Sequence, residues 1–272
     1  MSRFQWLEFE KPSGGRSGGD GSGDQDTPPH GGDPTDPLYI LRLADEAYRR
    51  MESEKALKLY SRALGVDPTL EIAWAGQLRC LLDLQENPEA LTWAVKAQKT
   101  FGKSPDIQAS RAVAIARSGN LSEAMAFSDG SMKSDHPGWY PWVARGEILA
   151  MSVSGNADFC MTKAREAAPN DWFIHLKVAQ GYKNAGCPER AVPVFRKVLG
   201  MQSDLAEAWY ELGECQLAIG SYLDARASFE KASRLSPHNK IYATAHTNMA
   251  NTGPFEQFFG WIKGCLKGVF GK

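Results

Sequence analysis

The sequence predicts an all-α solenoid, a stack of antiparallel helix pairs with no β-sheet. Three observations carry that reading: a ladder of small residues, apolar residues at helical spacing between its rungs, and prolines where second helices should end. The ladder runs through Ala56, Ala90, Ala124, Ala157, Ala191 and Ala225, at steps of 34, 34, 33, 34 and 34 residues. Seven residues further on, Ala63, Ala97, Ser131, Ala164, Val198 and Ala232 repeat the same steps. A fixed period of this length marks a structural repeat whose units bury their apolar faces only by stacking on one another.

From the N-terminus, residues 1–36 are a different material. Residues 11–37 are rich in Gly, Ser, Asp and Pro and nearly free of apolar side chains. Such a stretch cannot offset the entropy of ordering, so it is expected to be a disordered linker. In front of it stands an aromatic island, Phe4-Gln5-Trp6-Leu7-Glu8-Phe9. It is too short to fold alone, and either serves as a ligand for another protein or folds back onto the solenoid.

Six units follow, at about 37–70, 71–104, 105–138, 139–171, 172–205 and 206–239. The fourth is one residue short, most simply in its inter-helix turn around Ser152–Asn156. The last unit is the clearest: Trp209, Leu212 and Gly213 on its first helix, Gly220 in the turn, then Ala225, Phe229, Ala232 and Pro237. Small residues suit close helix crossings, large rings fill the space between units, and Pro68, Pro169 and Pro237 stop second helices because proline cannot continue the hydrogen-bond ladder. This pattern resembles the tetratricopeptide-repeat family signature, W-x2-L-G followed by A-x3-F and a closing proline. The family's usual first-helix tyrosine is replaced by Gln216. Other units carry the pattern in part, through Trp74, Trp142 with Gly146, Tyr182 with Gly186, and Tyr60 with Ala63. The resemblance covers roughly three quarters of the chain and implies a right-handed superhelix.

It also implies that the first helix of each unit lines a concave surface that holds an extended or helical peptide of a protein partner. With the repeat register placed on this chain, the expected groove residues are Arg79, Tyr140, Val143, Phe173, Leu176, Gln180, Asn184 and Tyr210. Exposed rings in a concavity are common interface anchors, and Gln180 and Asn184 suit a peptide backbone. Binding of acidic chaperone tails, known for some members of the family, needs several inward cations close together. Only Arg79 and Arg117 stand near each other, so that mode is not expected.

Residues 240–252 continue the helical pattern through Ala243, His246 and Ala250, as expected of a capping helix over the open end of the stack. The tail, residues 253–272, is amphipathic. Phe255, Phe258, Phe259, Ile262, Leu266 and Phe270 share one helical face with Trp261 at its edge, and Gly260, Gly264, Gly268 and Gly271 lie opposite, flanked by Lys263 and Lys267. Each interior glycine costs a helix about 1 kcal/mol relative to alanine, so this segment needs a surface on which to fold. That surface is a membrane interface, a partner, or the solenoid's own groove.

Several classes find no residues to stand on. The formal net charge of −1 gives no global attraction to nucleic acid, and basic residues do not interleave with aromatics. There is no Gly-rich phosphate loop, no nucleophile elbow and no zinc-protease helix. The five cysteines are scattered without a C-x-x-C pair, which points to reduced thiols rather than a disulfide framework or a zinc site. Met1–Glu10 lacks the basic start and apolar run of a signal peptide, so the expected setting is cytoplasmic, with membrane association through the tail as the alternative. The expectation is a non-enzymatic scaffold without metal or cofactor.

Overall fold

Twelve helices follow one another as six pairs, and a thirteenth closes the described chain. A computed structural model describes Leu7 and residues 33–152 and 156–251. The pairs are α1 (Pro37–Arg49) with α2 (Ser53–Val66), α3 (Glu71–Asp83) with α4 (Asn87–Thr100), and α5 (Pro105–Arg117) with α6 (Leu121–Ser131). They continue with α7 (Trp139–Met151) and α8 (Ala157–Glu166), α9 (Trp172–Asn184) and α10 (Pro188–Met201), and α11 (Ala206–Ala218) and α12 (Tyr222–Leu235). Helix α13 spans Lys240–Asn251 and packs on α12. No strand occurs among the described residues, and no described helix is long and apolar enough to cross a membrane.

The ladder residues behave as their chemistry requires. Ala56, Ala124, Ala157, Ala191, Ala225 and Ala232 are fully buried where helices cross. At Gly213 an added Cβ would come within 2.7 Å of the Phe229 ring, so only glycine lets α11 and α12 approach this closely. Turns between paired helices need a left-handed residue at the same register position. Gly119, Gly186 and Gly220 supply it at φ 95°, 74° and 81°, whereas Met51 and Gln85 adopt it at φ 64° and 61° without the freedom of glycine.

First helices of successive units stack side by side, from α1 on α3 through to α9 on α11. One apolar cluster runs from the first unit to Phe173 and includes Leu7, and a second runs from α7 to α11. Leu7 is fully buried in the first cluster; the rest of the aromatic island lies outside the described residues. So do the tail residues Phe255, Phe258, Phe259, Trp261, Ile262, Leu266 and Phe270.

Candidate binding cleft

The inner face of the solenoid is divided into a closed middle and an open cleft. Closure comes from contact between the first unit and the fifth. At the end of α1, Arg49 donates two hydrogen bonds to Asp171, at 2.9 and 3.1 Å. Asp171 is at the same time the N-cap of α9, accepting from the Phe173 amide at 3.0 Å. Burial opposes its charge, but the bonds from Arg49 and Phe173 hold its carboxyl below the usual value. One turn along, the Tyr48 and Phe173 rings meet edge to face with centroids 5.3 Å apart. Lys177, only 5% exposed, reaches from α9 to Asp83 of α3 at 2.6 Å, and its ammonium lies 4.8 Å from the Tyr48 ring.

Behind this clasp the polar groups are satisfied by one another. Arg117 pairs with Glu147 at 2.7 Å and also donates to the Leu82 carbonyl at 2.7 Å. Arg79 pairs with Asp106 at 3.3 Å and lies within 5.8 Å of the Tyr48, Trp139 and Tyr140 rings. Burial raises the Tyr140 phenol well above its normal value, so it stays neutral. The space left among these side chains is only about 30 Å³, room for a water and no more.

Eight residues were expected along one continuous exposed groove, and the structure corrects that. Phe173 is 3% exposed and Leu176 is fully buried, so neither is available as an anchor. Tyr140 and Val143 are buried as well, and with Arg79 they line the small closed space. The physical reason is the tightness of the coil. Because α1 comes round to meet α9, rings that would line a wider groove pack against each other, as Phe173 does with Tyr48, Trp139 and Trp172.

Gln180, Asn184 and Tyr210 lie instead on the wall of the open cleft, about 1030 Å³ in volume. Its walls are the α1–α2 turn with the start of α2, the end of α3, and facing turns of α9, α11 and the start of α13. Tyr210 and Tyr242 form a tilted ring pair with centroids 5.0 Å apart, at the junction of α11 and α13. Lys183 bridges Glu211 at 2.7 Å and Glu214 at 3.1 Å. The Gln180 amide donates to Glu211 at 2.8 Å, while its carbonyl oxygen is buried without a partner. Glu207, Glu211 and Asp83 are the acids on these walls, with Glu52 and Glu54 opposite on the α2 side.

Glu207 has a perturbed carboxyl. Burial, reinforced by the neighbouring Glu211 charge, pushes it up to about 7. No hydrogen bond or ion pair reaches it among the described residues. Glu207 and Tyr242 were not singled out by the sequence. A signal existed for the first: Glu207 stands 34 residues after Phe173, at the same register position one unit on. Tyr242 lies beyond the last unit, where the register gives no guide. Among the described residues no cluster of His, Cys, Asp and Glu could hold a metal ion.

A family model described as tetratricopeptide repeat matches residues 41–105 and 177–240. The human superkiller complex protein 3 is 24% identical over 184 residues, covering 65% of this chain and 12% of that protein. The chain thus spans about an eighth of the length of that relative. A tetratricopeptide-repeat protein of Parabacteroides merdae matches 80% of this chain and 86% of its own at a TM-score of 0.51 and 17% identity. A thermophilic protein of the same kind from Thermus thermophilus matches 79% and 98% at a TM-score of 0.48 and 18% identity.

Proposed function

Because this chain belongs to the tetratricopeptide-repeat family, we propose that its protein-interaction scaffold holds a partner segment in the cleft between the first unit and units five and six. The inner face elsewhere is filled by its own rings and ion pairs. The observation that carries this reading is the contrast in space: about 1030 Å³ open in the cleft against about 30 Å³ behind the clasp. A cavity of that size suits a few residues of an extended peptide or one face of a helix. Its polar lining, with the Asn184 and Gln180 amides among it, suits a peptide backbone, and Tyr210 with Tyr242 offers flat apolar surface.

The test is a pull-down with the intact chain, read by mass spectrometry against two variants. Asn184→Trp fills the cleft from its wall, and Arg226→Ala alters an exposed position on the outer helix α12. A partner recovered by the wild type and by Arg226→Ala, but lost with Asn184→Trp, supports the cleft. Equal recovery by all three places the binding surface elsewhere.

A further inference from the structure

We propose that the cleft recognises an arginine side chain of the partner, its guanidinium seated at Glu207 and Gln180 and stacked on the Tyr210–Tyr242 pair. This deepens the cleft reading and rests on it. Two polar groups on the wall lack what a cation supplies. The Glu207 carboxylate accepts no hydrogen bond among the described residues, although it sits on a partly buried face beside a second carboxylate, Glu211. The Gln180 side chain is 9% exposed, and its carbonyl oxygen has no partner. An acceptor left unpaired in this way is costly, and a donor entering the cleft relieves it.

The remaining charges say which donor fits. Glu211 is already served by Lys183 and by the Gln180 amide, and Asp83 by Lys177. What is left is one carboxylate, one carbonyl and a tyrosine pair. A lysine ammonium is a compact point charge that suits a single acceptor cluster. A guanidinium is planar and carries five donors in a fixed fork, so it reaches separate acceptors at once. Its face also stacks on tyrosine, and the Tyr210 and Tyr242 rings, tilted by 32°, line this wall. An anionic ligand would meet the Glu207 and Glu211 charges instead. The raised proton affinity of Glu207 has the same origin, since an unpaired carboxylate beside another one holds its proton until a cation replaces it.

The experiment uses the full chain and a positional-scanning decapeptide library with fixed-residue pools. The expected result is selection of arginine at one position over alanine, glutamate and lysine. Replacing that arginine by neutral, near-isosteric citrulline in the selected peptide should weaken binding by about thirtyfold or more. With Glu207→Gln the arginine preference should fall by a similar factor, while the helical signal is kept. Enrichment of peptides with no arginine preference, or a preference that survives Glu207→Gln, overturns the arginine site and leaves the cleft standing if Asn184→Trp abolishes the enrichment. No enrichment of any pool overturns both.

Discussion

Phe173 and Glu207 stand at the same register position in successive units, and they have opposite fates. Phe173 is sealed at 3% exposure among Tyr48, Trp139 and Trp172, in the part of the inner face that α1 closes. Glu207, one unit further, passes the edge of that contact and lines the open cleft. The lesson is that an inward position in a tight solenoid is not thereby a binding position. What faces it across the coil decides, and here the fifth unit faces the first while the sixth faces a gap. The chemistry follows that division. In the closed part cations and acids are paired, as in Arg117–Glu147 and Lys177–Asp83, whereas an acid and an amide carbonyl on the cleft wall lack donors.

The largest expected effect comes from breaking the closed side. Phe173→Ala empties a ring site shared by two units and should cost about 3–5 kcal/mol, measured by chemical denaturation. A loss below 1 kcal/mol would mean that the first and fifth units do not pack as described.

The open side responds with the opposite sign. A carboxyl whose value in the folded chain lies above its ordinary 4.5 favours folding while protonated. That contribution is fully present below about 4.5 and is lost as pH rises through about 7. Glu207→Gln cannot ionise, so at pH 8.5 the variant should be more stable than the wild type by on the order of 2 kcal/mol. At pH 4.5 the advantage should vanish. The charges facing Glu207 are Glu211 on its own helix, Lys177 and Lys183 on α9 and Asp83 on α3, with Glu52, Glu54, Lys55 and Lys58 across the cleft on the α2 side. Equal stabilities at both pH values would show that this carboxyl is solvated and ordinary.

Two smaller changes sharpen the boundary between the regions. Gln85 is exposed at the cleft rim and holds φ at 61°, so Gln85→Gly should stabilise by about 1 kcal/mol where the equivalent Gly119 already has that benefit. Arg49→Ala removes an ion pair whose arginine side chain is 47% exposed. Its cost should be only about 0.5 kcal/mol and should shrink further in high salt, because the rings beneath it hold the clasp. A loss of several kcal/mol would assign closure to the ion pair instead.

The solenoid was legible in the sequence because its period is written in residues that tolerate no substitute. Ala225 at a helix crossing and Gly213 against Phe229 can be read without coordinates. The cleft was legible only in part. Gln180, Asn184 and Tyr210 were found from the register, while Phe173 and Leu176 were assigned to a surface they do not reach. The radius of the coil explains the difference. It accumulates from small rotations over five units, and no single motif encodes it. Only the meeting of Tyr48 with Phe173, 125 positions apart, reveals that the middle is shut.

The central claim is that binding uses the cleft while the clasp stays closed. A short bis-maleimide bridging Arg49→Cys and Asp171→Cys, in a background with Cys187 and Cys265 changed to serine, locks the first unit to the fifth. The affinity of the library-selected peptide is then measured with and without the bridge. The account expects the two affinities to agree within a factor of about two, since the cleft lies beyond the lock and its walls are unchanged. Loss of binding on bridging would contradict it, because the peptide would then require the closed middle of the inner face to open.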